Sequence, residues 1–137
     1  VEDDRTAPKR VLIVDDEEAV TLSLASLLES DAVVVRTAST WEAAMELLNA
    51  ETFDLAIVDL RLGGATGMEG LELISLIKTQ RPQTQVVLLT AHGSPEVERE
   101  ARRRGAVDYW EKPLPIPALM GKVKALGIPA GQGGICR

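Results

Sequence analysis

Cysteine is all but missing from this chain. Cys136 stands alone near the end of a Gly-rich tail, so no internal disulfide can form, and with His92 the single histidine there is no Cys/His set to hold zinc. A reducing compartment is the expectation. Aromatic residues make up only 3% of the sequence, which leaves Leu, Val, Ile and Ala to build the core, a composition suited to stacked helices and parallel strands. No apolar run approaches the roughly 20 residues that cross a bilayer, and Val1-Glu2-Asp3-Asp4-Arg5 has neither the basic start nor the apolar centre of a signal peptide. The expected location is the cytoplasm, without membrane contact. Positive charge is short as well. Fifteen Lys and Arg against 21 Asp and Glu give a net charge of −6, the wrong sign for a segment that grips nucleic acid by its phosphates. Neither a G-x-G-x-x-G nor a P-loop pattern occurs, which disfavours nucleotide-binding folds.

What is present is a regular alternation. At 137 residues the chain reads as one domain (9–126) with a polar lead (1–8) and a Gly-rich tail (127–137). The tail has the composition of a linker, as in a domain cut from a longer protein. A strand at about 10–14 is followed by a helix from Glu17 to Ser30 with Val20, Leu24, Leu27 and Leu28 on one face. Val33-Val34-Val35 reads as the second strand, and Thr40 as the N-cap of a helix whose apolar stripe is Trp41, Ala44, Met45 and Leu48. A third strand spans 55–59, and Gly63-Gly64-Ala65-Thr66-Gly67 then forms a turn or mobile loop. Next come a helix from Gly70 to Thr79, ended by Pro82, and a strand at 85–89. Ser94-Pro95-Glu96 opens a helix that Arg102-Arg103-Arg104-Gly105 closes, and a weaker strand (106–111) and a last helix (116–126) complete the series. Strand and helix in strict alternation imply a doubly wound α/β domain with helices on both faces of a parallel sheet.

Such a sheet collects the carboxyl ends of its strands along one edge. The residues due there are Asp15 and Asp16 after the first strand, Asp59 after the third, Thr90 after the fourth, and Lys112-Pro113 after the fifth. Carboxylates, a hydroxyl and an ammonium in one crevice are the parts of a magnesium-assisted phosphoryl-transfer site. Carboxylates this close repel, by roughly 4 kcal/mol per pair at 4 Å with an effective dielectric of 20, so such a site must protonate or recruit a cation. Mg²⁺ suits it, being a hard ion that takes oxygen ligands and keeps waters a phosphoryl group can displace.

The acidic pair Asp15-Asp16, Asp59, Thr90-Ala91, Tyr109 and Lys112-Pro113, in this order and on these strand ends, resemble the receiver domain of two-component response regulators. The resemblance covers about residues 9–126. It implies the flavodoxin-like strand order 2-1-3-4-5. It further implies Asp16, Asp59 and the backbone carbonyl of Arg61 as direct Mg²⁺ ligands, with Asp15 acting largely through water. Asp59 would be the nucleophile, taking a phosphoryl group from a histidine kinase or a histidine phosphotransfer protein. Lys112 would pair with one phosphoryl oxygen and Thr90 would hydrogen-bond another. Thr90 and Tyr109 would form the switch, altering a surface made of the fourth helix, fifth strand and fifth helix, where a homodimer or an output domain, attached or separate, would bind. Pro113 is the candidate for a cis peptide bond. Arg61 and His92 fall where the family borders the phosphoryl group. The loop after the acceptor departs from the family, with Gly63 in place of the usual proline and about three extra residues before Gly70-Leu71.

Plainer readings stand beside these. Asp15-Asp16-Glu17-Glu18 is also an ordinary acidic helix start, Tyr109 an ordinary half-buried strand residue, Trp41 a packing residue, and Arg99, Arg102, Arg103 and Arg104 a solvated helix face. A hydrolase with an aspartyl nucleophile on a related fold resembles Asp-x-Asp, but here position 61 is Arg. The remaining alternative is a receiver-like binding module not controlled by phosphorylation. The expectation on the main reading is a regulatory domain, one that catalyses only its own phosphorylation and dephosphorylation.

Overall fold

In the computed structural model, which describes residues 7–129, five strands alternate with five helices. They are β1 (Lys9–Val14), α1 (Glu18–Leu28), β2 (Val33–Ala38), α2 (Trp41–Ala50), β3 (Leu55–Val58), α3 (Glu69–Gln80), β4 (Gln85–Thr90), α4 (Pro95–Arg103), β5 (Asp108–Glu111) and α5 (Ile116–Ala125). Most of the lead, and the tail from residue 130 with its Cys136, lie outside the described residues.

The sheet is parallel throughout, in the order β2-β1-β3-β4-β5. This is the doubly wound order expected of the sequence. Burial on both faces explains the unbroken apolar runs Val11–Val14 in β1, Leu55–Val58 in β3 and Val86–Leu89 in β4. Successive side chains alternate between two cores. Leu12 and Val14 face α2, α3 and α4 through Ala44, Leu48, Leu73, Ile74 and Ala101. Val11 and Ile13 face α1 and α5 through Leu24, Leu28, Leu119 and Val123.

Local chemistry sets most boundaries. The Thr40 hydroxyl caps α2 by accepting from the Ala43 N–H at 3.0 Å, and Ser94 caps α4 by accepting from Val97 N–H at 3.1 Å. α1 ends with its apolar stripe at Leu28, short of the expected Ser30, because Glu29 turns extended (ψ 139°) and Ser30 pairs with Val33. β2 runs on to Ala38; it is an edge strand whose burial is partial, with Arg36 exposed and Thr37 half-buried between the buried Val35 and Ala38. β5 begins only at Asp108, because the Ala106 N–H is held by the Ala101 carbonyl of α4 at 3.0 Å.

The fold positions two elements against the end of β3. The Asp59 N–H donates to the Val14 carbonyl at 2.8 Å, which sets Asp59 beside Asp15 in the register that pairs Val14 with Val58. On the other side the first turn of α3 abuts the same backbone. Gly70 N–H donates to the Leu60 carbonyl at 2.8 Å, and a Cβ at Gly70 would overlap the Asp59 carbonyl oxygen. Glycine is required there for close approach. Gly70→Ala is therefore expected to push α3 away from β3 and to cost about 1–3 kcal/mol of stability. Urea denaturation checks this, and an unchanged midpoint would contradict it.

Candidate functional site

The carboxyl edge of the sheet brings Asp15, Asp16 and Asp59 together, with one ligand-capable oxygen from each lying within 4.8 Å of the others. Asp15 and Asp59 are buried and Asp16 is exposed. The Asp15 carboxylate is fixed at both oxygens: Oδ1 accepts from the Glu17 N–H at 2.9 Å and Oδ2 from Lys112 Nζ at 2.6 Å. Asp59 Oδ1 accepts from the Leu60 N–H at 2.7 Å, while Oδ2 lies 3.5 Å from Lys112 Nζ. Lys112 is carried into the cleft by the turn after β5, where the Lys112–Pro113 peptide bond is cis.

One ammonium shared between these carboxylates leaves negative charge over. Burial, and then the Asp15 charge, push the Asp59 carboxyl above the usual aspartate range, although the Lys112 ammonium, the Thr90 hydroxyl and the Leu60 N–H pull the other way. Burial acts to lower the Lys112 ammonium, but the hydrogen bond it donates to Asp15 and the charges of Asp59, Asp15 and Glu17 outweigh it and hold it above the usual lysine range. The donor set of hard carboxylate oxygens and the uncompensated charge both fit a divalent cation such as Mg²⁺. A second, open side of the cleft, about 280 Å³ in volume, is lined by Asp16, Asp59, Arg61, His92 and Lys112. It gives a small anion a route to Asp59 with a cation at its wall.

Thr90 and Tyr109 are placed differently. Thr90 ends β4 fully buried, and its hydroxyl accepts from the His92 N–H at 3.1 Å. Tyr109 does not reach the cleft. Its half-buried ring lies against the turn into α4, where a Cβ on Gly93 would overlap its hydroxyl, and that hydroxyl donates to Glu111 Oε2 at 3.0 Å. Burial first, then the Glu111 hydrogen bond and the Glu111 and Glu98 charges, push the Tyr109 phenol up to about 12. Trp41 is partly buried against the core and also lines a neighbouring cleft with Asp16.

Three contributors were not evident from sequence. Glu17 stands 3.8 Å from Lys112 at the mouth of the cleft. Gly93 makes room for the Tyr109 ring. Glu69 holds the glycine-rich loop: its Oε1 accepts from Leu62 N–H at 3.2 Å, and its Oε2 from the Thr66 hydroxyl at 3.2 Å and Gly67 N–H at 3.3 Å. The loop expected to be mobile is thus tied to the start of α3. Glu17 was legible only as one more acidic residue in a helix start, and the other two depend on contacts that sequence spacing does not show.

Residues 11–124 match the family described as the response regulator receiver domain. The chain is 39% identical over 104 residues to the alginate biosynthesis transcriptional regulatory protein AlgB of Pseudomonas aeruginosa, an alignment that covers 76% of this chain and 22% of that protein. It spans less than a quarter of the length of such curated relatives. Among solved structures it is similar to a CheY-like receiver domain protein from Methanospirillum hungatei, with a TM-score of 0.81 and 32% identity, covering 88% of this chain and 95% of that one. It is also similar to a response regulator protein from Burkholderia pseudomallei with a phosphorylated aspartic acid, calcium ion and citrate, at TM-score 0.74 and 31% identity, covering 85% of this chain and 71% of that one.

The raised Asp59 carboxyl has a consequence for stability. A carboxyl whose folded pKa lies above its unfolded value penalises the folded state at high pH, and the penalty fades as pH falls through the folded pKa. Asp59→Asn, measured without divalent cations, is therefore expected to raise the urea midpoint at pH 7. The gain should vanish below about pH 4, where the carboxyl is protonated in both states. A variant less stable than wild type at pH 7 would show that Lys112 already neutralises the site.

Proposed function

This chain belongs to the response regulator receiver domain family, and on that premise we propose that it is a phosphoacceptor switch in which Asp59 takes a phosphoryl group from a histidine kinase or a histidine phosphotransfer protein. The observation that carries this reading is the setting of Asp59: a buried carboxylate at the end of β3, with Asp15 and Asp16 within 4.8 Å and Lys112 Nζ at 3.5 Å. Carboxylates that can hold a cation and an ammonium that can meet a phosphoryl oxygen are the groups such a transfer uses.

Asp15, Asp16, Asp59 and the Arg61 carbonyl would hold Mg²⁺, with Asp15 acting mainly through water; when bound, the ion supplies charge neutralisation for the carboxylates and the transferring group. An Asp59 oxygen attacks phosphorus, the bond from phosphorus to the donor imidazole nitrogen breaks with its electron pair going to that nitrogen, and the product is an acyl phosphate. Lys112 would shift from Asp15 and Asp59 toward a phosphoryl oxygen, a small movement for an ammonium already between them.

Thr90 would link this chemistry to the surface. Its hydroxyl accepts from His92 N–H, and a Thr90 that turns toward the phosphoryl group gives that bond up and loosens the turn on which Tyr109 rests. The Tyr109 ring would then move inward and change the face made by α4, β5 and α5, a two-position element of the kind a switch needs. That face would receive a second copy of the domain or an output domain. The short span relative to its relatives supports an output module joined to this one.

Intact-protein mass after incubation with Mg²⁺ and acetyl phosphate tests the acceptor. The expected result is a gain of one phosphoryl mass, absent without Mg²⁺ and absent in Asp59→Asn. A gain retained by that variant would assign the chemistry to another residue. No gain by wild type, together with no binding of Mg²⁺ and beryllofluoride, would favour a binding module outside phosphorylation control. Thr90→Ala is expected to accept phosphate yet lose most of the phosphate-induced change in self-association, read by light scattering; an undiminished change would sink the switch.

A further inference from the structure

The first turn of α3 grips the β3–α3 loop at two points on either side of Arg61. Gly70 N–H holds the Leu60 carbonyl at 2.8 Å, and the Glu69 carboxylate holds the Leu62 N–H at 3.2 Å. The second oxygen of Glu69 gathers the far side of the loop through Thr66 and Gly67. Gly64 packs so closely on this carboxylate that a Cβ there would overlap it. Burial acts to raise the Glu69 carboxyl, but its own backbone N–H and then the Leu62, Thr66 and Gly67 hydrogen bonds outweigh it and hold the group below the usual glutamate range. Adjacent residues on one rigid helix start therefore fix the peptide units on both sides of Arg61.

We infer that Glu69 is a positioning residue for the metal site: by holding Leu62 while Gly70 holds Leu60, it aims the Arg61 backbone carbonyl at the cation. This rests on the proposed Mg²⁺ site. A backbone ligand on a glycine-rich loop would otherwise lose conformational entropy on binding. Three hydrogen bonds to one carboxylate remove that freedom beforehand. The reach is specific to glutamate, because the carboxylate must span from the helix to both Leu62 and Gly67. Aspartate, one methylene shorter, would serve only one side.

Glu72 provides the control. It lines the same cleft as Asp16 and Glu69 and carries the same charge, but it accepts none of these three hydrogen bonds. The experiment is a calorimetric titration with Mg²⁺ alone on wild type, Glu69→Ala, Glu69→Gln and Glu72→Gln. Amide hydrogen exchange at Leu62 and Gly67 is followed in the metal-free proteins. Glu69→Ala is expected to weaken Mg²⁺ binding by about tenfold or more, the range for residues that orient a ligand from behind. It should also speed exchange at both amides. Glu69→Gln, which keeps one accepting oxygen, should fall between, and Glu72→Gln should change the affinity less than about twofold, as an exposed charge does. Equal losses in Glu69→Ala and Glu72→Gln would reduce the effect to charge and overturn the inference, as would a Glu69→Ala variant that binds like wild type. Absence of Mg²⁺ binding by wild type would overturn the proposed metal site itself.

Discussion

Mutual repulsion among carboxylates at one edge of the sheet is the constraint from which the rest of the site follows. The topology forces it: β1 and β3 are neighbours in a parallel sheet, so Asp15 and Asp59, one residue beyond the paired Val14 and Val58, must emerge side by side. Lys112, 97 residues along from Asp15, offsets part of the charge by bridging to it. What is left over is the reason the donor set of the cleft suits a divalent cation. On the proposed reading, a hard divalent ion would relieve the carboxylates and let a phosphoryl group approach a nucleophile otherwise surrounded by like charge.

Legibility in the sequence tracked how local the physics was. β1, β3 and β4 are evident because a short apolar run bounded by polar residues fits a strand buried on both faces. Thr40 and Ser94 act within their own first helical turns. β2 was half legible: Val33 to Val35 look like a strand, whereas Arg36 to Ala38 lie on a half-exposed edge and carry no such signature. The gathering of acidic residues followed from strand ends plus topology. Glu69 was hidden because an acidic residue in a first helical turn is already accounted for by the helix dipole, and its three bonds exist only once the loop has folded back. Gly93 was hidden for a related reason, since the residue that needs its missing Cβ is Tyr109, on the strand after the next helix.

The two ends of this edge differ in what is free to move. The acceptor side is held by backbone contacts at close range, through Gly70 on Leu60 and Asp59 on Val14. The Thr90 backbone is held too, its carbonyl accepting from the Lys112 N–H at 3.0 Å, so what can move there are side chains: the Thr90 hydroxyl, which accepts from the His92 N–H, and the Tyr109 ring in its slot. In the proposed switch, a phosphoryl group on Asp59 would act on those side chains while the backbone contacts of its own strand end stay in place.

The last strand limits how copies of this domain can meet. β5 is the outermost strand next to β4, with only four residues, and Asp108 and Glu111 at its ends place carboxylates along the open rim. Pro113, which has no N–H to offer, follows almost at once. Short, charged and proline-flanked edges resist the addition of a further strand. The sheet is thereby closed to growth on this side by backbone pairing, the route by which exposed edges lead to aggregation, and a neighbour arriving there must be recognised by its side chains.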